Sequence, residues 1–222
     1  MNKLSIIIPV YNEEKIIKKN SLRLQKYVEN LGCEIIVCSN GSTDKTVSIL
    51  RKIKGIKILA IKEKGTGIAF ISAVKKASAP IILLIDIDLT TNMEFINQAI
   101  IKIKHYDIVS GSKIIGSQNR SIIRKLLGYL YYNWVRLLLY IPYTDYASAA
   151  KCYRKNAIEK FLPKLTHGTS YVTELLYYAT RNKLSILEIP VKVTDKRKSK
   201  FNIVNESFRM FFGVLRIRFS KQ

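Results

Sequence analysis

The chain has 222 residues, 48% of them hydrophobic, with no Gly/Ser/Pro-rich or acidic low-complexity stretch and no internal repeat. This bounds it to one ordered domain with a large core and excludes a disordered protein. Its 38 Lys and Arg against 16 Asp and Glu give a formal charge of +22, so the summed field attracts polyanions: nucleotides, nucleic acid or anionic lipid headgroups. Cys33, Cys38 and Cys152 form neither a CxxC pair nor an even framework, which suits a reducing cytosol.

An apolar strand begins within three residues of Met1, without the basic region and cleavage site of a secretory signal, so the mature protein is expected to start at Met1. A membrane-spanning helix needs about 18 or more consecutive apolar residues. The longest candidate, Leu126 to Tyr140, is interrupted by Asn133 and Arg136.

In chain order, Leu4 to Pro9 is a nearly continuous apolar run, followed by a helical pattern from Glu14 to Leu31. Strand Glu34 to Cys38, helix Thr43 to Ile53, strand Ile56 to Ile61, helix Ile68 to Ala77 and strand Pro80 to Ile85 continue the alternation. Runs of Ile, Leu and Val between amphipathic helices predict an α/β fold with a mainly parallel central sheet flanked by helices. A strand at Asp107 to Gly111 then leads into a helix over Arg120 to Tyr140.

That helix gathers Ile122, Ile123, Leu126, Leu127, Leu130, Trp134, Leu137 and Leu138 on one half, with Arg120, Arg124, Lys125, Tyr132 and Arg136 filling or flanking the other. Residues from Asn202 onward repeat the pattern, with Val204, Phe208, Phe211, Phe212, Leu215 and Phe219 on one face. Both are amphipathic surface helices able to lie in a membrane interface; for the first, packing onto the sheet fits the pattern equally well, and for the second, a dimer contact is the alternative.

Ligands bind beyond the carboxyl ends of the strands in such sheets. The residues there are Tyr11, Asn12 and Glu13 after the first strand, Ser39, Asn40 and Gly41 after the second, and Asp86 and Asp88 after the fourth. Asp86-Ile87-Asp88 delivers two carboxylates to the sheet edge, where a divalent cation would relieve their repulsion and still accept diphosphate oxygens. On spacing alone, Asp88 could equally cap the next helix. Ser42-Thr43-Asp44 reads as a helix cap, Gly65 and Gly67 as a tight turn, and His105 and His167 stand apart from any ligand cluster.

Several of these features occur together and in order: Ser5-Ile6-Ile7-Ile8-Pro9-Val10-Tyr11-Asn12-Glu13, Asn40-Gly41-Ser42-Thr43-Asp44, Gly65 and Gly67, and Asp86-Ile87-Asp88. Gly111-Ser112-Lys113, Asp145, Lys151, Glu174, Glu188-Ile189-Pro190-Val191 and Ser199-Lys200 extend the set over nearly the whole chain. The chain thereby resembles the family 2 glycosyltransferases of the GT-A (Rossmann-like) fold, especially the polyprenyl- and dolichyl-phosphate mannose and glucose synthases.

The resemblance implies a nucleotide-sugar-binding half over residues 1–112, an acceptor half over 113–200 and an amphipathic helix over 201–222. It implies that Pro9, Val10, Tyr11, Glu13 and Ser39 contact the nucleotide sugar together with Ile87 and Lys113, that Asp86 and Asp88 hold Mg²⁺ or Mn²⁺ and the diphosphate, and that Asp145 joins them in catalysis. Lys113, Lys151, Lys196, Arg197 and Lys200 would grip donor or acceptor phosphates. The chain departs from the family at Ser39-Asn40, where the relatives carry Asp-Asp, at Thr90, often Gln, and at Ala149-Ala150-Lys151, where a Gly-Phe-Lys turn is usual.

The function so implied is inverting transfer of a hexose from a GDP-mannose or UDP-glucose type donor to a polyprenyl or dolichyl phosphate. The enzyme would be peripheral to the cytoplasmic face of a membrane, either by its own helices or through a separate anchoring partner. A lipid phosphate is already ionised near neutral pH and needs no strong general base, whereas a hydroxyl acceptor would need one. Asp145 is the candidate base, or else it orients the acceptor or pairs with a cation. Transfer to a soluble sugar or protein hydroxyl shares every nucleotide motif. A nucleic-acid-binding protein would need clustered basic residues, and a dinucleotide dehydrogenase would need a Gly-x-Gly-x-x-Gly turn; neither is present, and nucleic acid is not an expected partner.

Overall fold

The computed structural model describes residues 3–195 and 203–219, with side chains of the last helix described from Phe208. The first half runs β1 (Leu4–Val10), α1 (Ile17–Val28), β2 (Cys33–Asn40), α2 (Thr46–Leu50), β3 (Ile56–Ile61), α3 (Thr66–Lys76), β4 (Ile81–Leu84) and α4 (Glu94–Lys102). The second half runs β5 (Ile108–Asn119), α5 (Ile122–Leu139), β6 (Lys151–Arg154), α6 (Lys155–Ile158), a 3₁₀ turn (Glu159–Lys164), α7 (Tyr171–Arg181), β7 (Ile186–Thr194) and α8 (Ile203–Phe219).

The seven strands form one sheet in the order β3-β2-β1-β4-β6-β5-β7. All pairings are parallel except those of β6, which runs antiparallel to β4 and β5. The carboxyl ends of β1, β2, β4 and β5 therefore reach the same edge. The apolar runs of β1, β2 and β4 are buried because helices cover both faces. One core contains Ile7, Ile36, Phe70, Leu84, Tyr153 and Leu175. The other contains Ile6, Ile8, Leu24, Val37, Leu83 and Phe95.

Edge strand β7 instead alternates, burying Ile189, Val191 and Val193 while exposing Pro190, whose missing N–H is tolerated at a sheet edge. Such half-buried alternation carries a weaker signal than the continuous runs, and neither β7 nor the four-residue β6 is among the expected strands. The strand expected at Asp107 to Gly111 continues to Asn119, because a register shift between Ser112 and Ser117 lets the chain bulge and then rejoin β7. Helix α1 begins three residues later than expected: Ile16 and Ile17 donate to the Glu13 carbonyl in a turn that precedes it.

Helix α5 docks through Tyr131, Val135 and Leu139, which lie outside the apolar half expected to lead. Much of that half faces outward: Ile122, Ile123, Leu126, Leu130 and Leu137 are all exposed. Helix α8 lies against α5, where the Trp134 Nε1–H donates to the Phe211 carbonyl at 3.2 Å. Gly213 permits its close approach to Ser170, whose Oγ would stand 2.1 Å from any added Cβ. No helix among the described residues is long and apolar enough to cross a membrane.

Candidate active site

The β1 and β2 ends are laced together by side chains. The Asn40 amide donates to the Val10 carbonyl at 2.9 Å and its oxygen accepts the Gly65 N–H at 3.2 Å, tying β1, β2 and the approach to α3. Asn12, at φ 52°, accepts the Thr43 N–H, and its own N–H donates to Ser42. The Glu13 N–H donates to Thr46 Oγ1, and Asp44 accepts the Thr46 N–H. All three residues of the Ser42-Thr43-Asp44 triplet hold the loop after β1, and Asp44, which accepts the Glu14 N–H at 3.1 Å, also serves the first residue of α2. Tyr11 stands half-buried at this edge with the Lys64 ammonium 4.2 Å from its ring centroid.

Pro9 is half-buried, whereas Val10 and Ile87 lie in the core with their carbonyls accepting from Asn40 and Asn20. Ser39 is buried and donates to Ser42. Its hydroxyl shapes the loop beneath Tyr11 in place of the carboxylate that the resemblance would lead one to expect.

Gly65 and Gly67 do not serve a tight turn. Gly65 has an extended backbone, and both glycines pack against the 166–168 loop, where a Cβ would meet the His167 carbonyl at 2.2 Å or the Thr166 carbonyl at 2.1 Å. The Gly67 N–H donates to that loop. His167 pairs with Glu63 on the surface, and Glu174 accepts the Thr166 N–H and hydroxyl, its carboxyl pushed up by burial.

Beyond β4 the chain turns through Asp86, Ile87, Asp88 and Leu89, closed by the Leu89 N–H donating to the Asp86 carbonyl and by φ 51° at Leu89. Asp86 is exposed and Asp88 half-buried, with Asp88 Oδ1 accepting the Thr90 N–H at 2.9 Å. The two carboxylates thus share one turn. Among the described residues no group of three His, Cys, Asp or Glu could enclose a metal. The donor set fits a hard cation such as Mg²⁺ or Mn²⁺ held by one or two carboxylates and completed by phosphate oxygens and water.

The β5 bulge re-aims Lys113, whose ammonium lies 2.7 Å from Asp145. The Asp145 side chain is only 1% exposed. Burial alone would raise its carboxyl, but the Lys113 and Lys151 charges prevail and hold it well below the usual carboxylate range. Lys151, opposite Leu84 and Ser110 in the sheet, is fully buried and donates to the Ser148 carbonyl. Its ammonium is brought down to about 8 by burial, against the opposing pull of Asp145. Glu188 of β7 anchors the loop by accepting the N–H groups of Thr144 and Asp145.

Arg120, at the mouth of α5, was not singled out as a site residue by the sequence. It is half-buried, with Asp195, Asp145 and Asp88 as acidic neighbours, and its buried Nε has no hydrogen-bond partner among the described residues. The signal was present as one of several arginines on an amphipathic helix, and only tertiary structure brings this one to the carboxylate turn. Arg124, one turn on, pairs with Asp195. Lys196, Arg197 and Lys200 lie outside the described residues.

An aromatic, a carboxylate pair and partly buried cations thus converge at one edge of an α/β sheet. Residues 5–162 match Glycosyl transferase family 2, and the chain belongs to that family. It is 30% identical to the UDP-N-acetylglucosamine–dolichyl-phosphate N-acetylglucosaminyltransferase of Methanococcus voltae, over 97% of this chain and 96% of that protein. Identity is 25% to the dolichyl-phosphate hexose transferase of Haloferax volcanii, over 87% and 83% of the two chains. The fold is shared with glucosyl-3-phosphoglycerate synthase of Mycobacterium tuberculosis in complex with Mn²⁺, UDP and phosphoglyceric acid, at a TM-score of 0.77 and 16% identity, covering 100% of this chain and 80% of that one. The protein is a glycosyltransferase with a GT-A-like domain.

Proposed function

We propose that the chain transfers a hexose from a nucleoside diphosphate sugar to a polyprenyl or dolichyl phosphate presented at a membrane surface, with inversion at the anomeric carbon. The observation that carries this reading is the contrast in charge state at the site. Asp145, the candidate base, is buried, paired with Lys113 at 2.7 Å and kept ionised by Lys113 and Lys151, so it is a weak base, poorly matched to deprotonating a hydroxyl. An already ionised phosphate acceptor needs no such base. The relatives named for dolichyl-phosphate transfer support the same acceptor class.

In this account Tyr11, with Lys64 beside it, receives the base and ribose, and Asp86 and Asp88 hold a divalent cation. When bound, that cation supplies positive charge to the departing diphosphate. Lys113 and Arg120 face the phosphates, their positions set by Asp145 and by the α5 mouth. The acceptor phosphate oxygen attacks the anomeric carbon from the face opposite the diphosphate. The new C–O bond forms as the old one breaks, and its electron pair leaves with the nucleoside diphosphate.

Radiolabelled UDP- and GDP-hexoses, incubated with the protein, Mn²⁺ or Mg²⁺ and a short polyprenyl phosphate, test this directly. Label that partitions into organic solvent and withstands mild base is expected. Donor turnover that labels only a soluble sugar or protein hydroxyl would replace the acceptor class.

A further inference from the structure

The outward apolar residues of α5 and α8 are too many and too contiguous for ordinary surface. Ile122 is 83% exposed, Leu126 57% and Phe212 65%, and Leu130, Leu137 and Phe208 accompany them. The two helices meet along the Trp134–Phe211 seam, with ring centroids 5.8 Å apart. With 3.6 residues per turn, passing around α5 from its buried Val135 through Trp134 leads next to the exposed strip. Passing around α8 from Val214 through Phe211 leads to Phe208 and Phe212. Both strips therefore emerge on the same outer side. Ile114 and Ile115, on the β5 bulge beside Lys113, are also exposed.

We infer that this outer side is a docking surface for an anionic lipid bilayer, an inference that rests on the proposed lipid-phosphate acceptor and says how the site is brought to it. Charge selects the occupant. Helix α5 carries no acidic residue, and exposed Lys125, Arg136, Arg209 and Arg218 accompany the apolar strips. Basic residues near an anionic leaflet add to apolar insertion. A second copy of the chain would set like charges face to face on a protein of +22.

Continuity with the site supports the same occupant. The α5 mouth is tied to the loop after Asp88: Arg124 pairs with Asp195, the Asp195 N–H donates to the Asn119 carbonyl, and the Thr194 N–H donates to the Thr90 carbonyl. Docking by α5 thus places Arg120 and the carboxylate turn at the rim of the lipid surface, where an acceptor headgroup arrives.

The test uses the full chain and vesicles of neutral phosphatidylcholine, with or without about one third phosphatidylglycerol, in co-sedimentation without donor or acceptor. Binding to the anionic vesicles that weakens with salt is expected, with at least a tenfold loss in Leu126→Asp/Phe212→Asp at unchanged thermal midpoint. That variant should keep wild-type transfer to detergent-dispersed short polyprenyl phosphate, which separates failure of the surface from failure of the acceptor reading. Equal vesicle binding by variant and wild type, or equal binding to neutral and anionic vesicles, overturns the inference. So does a wild-type dimer in light scattering that the same substitutions convert to monomer.

Discussion

Strands β1, β2 and β4 and helix α5 are built from similar Leu- and Ile-rich sequence, yet the strands bury nearly all of it and the helix leaves Ile122, Ile123, Leu126, Leu130 and Leu137 exposed. In the sheet, apolar burial stabilises the fold and holds polar strand ends at one edge. In α5, Tyr131, Val135 and Leu139 dock the helix with Trp134 and Leu138 packed beside them, and the exposed Ile122, Leu126 and Leu137 add little to folding. Hydrophobicity in this chain has two uses, separable by measurement.

The largest expected stability loss lies where the two regions meet. Asp145→Ala removes the partner of Lys113 and a neighbour of buried Lys151, and stranding buried charge costs about 3–5 kcal/mol; urea unfolding reads it. In the sheet, Leu84→Ala should cost about 2–5 kcal/mol, since the side chain is fully buried. The comparison then sharpens at Leu126→Ala, expected within about 0.5 kcal/mol of wild type by the same measurement. A loss at Leu126 equal to that at Leu84 would break the comparison.

Between these extremes lies a pH effect far from the site. Lys57, Ser5 and Ser78 outweigh burial and hold the Glu34 carboxyl at about 2, below its ordinary 4.5. Its folded value is the depressed one, so its stabilisation is present above pH 4.5 and lost as pH falls from 4.5 to about 2. Because Lys57 is 56% exposed and solvent-screened, the effect should be about 1 kcal/mol. Glu34→Gln should flatten the acid slope of unfolding free energy over that window.

The first half of the fold was legible because continuous runs such as Ser5-Ile6-Ile7-Ile8 and Ile82-Leu83-Leu84 admit little besides buried parallel strands. Their polar successors, Tyr11, Asn40 and Asp86, then follow at the same sheet edge. The second half was less legible. Strand β6 is four residues long, and the antiparallel insertion that brings Lys151 opposite Leu84 depends on a long-range pairing that no local pattern records. Gly65 and Gly67 looked like turn residues, yet their reason is a loop a hundred residues away. Arg120 could not be told from its neighbours on the α5 wheel, because what distinguishes it is the approach of Asp88, Asp145 and Asp195.

The central claim is that the Asp86–Asp88 turn forms a cation-assisted nucleoside diphosphate site. Calorimetric titration of UDP and GDP, with and without Mn²⁺, into wild type and Asp88→Ala tests it most directly. Mn²⁺ should tighten binding of one nucleotide at least tenfold in wild type, about 1.4 kcal/mol, and have little effect in the variant. Nucleotide affinity indifferent to Mn²⁺ in the wild type, or equally Mn²⁺-dependent in Asp88→Ala, would contradict it.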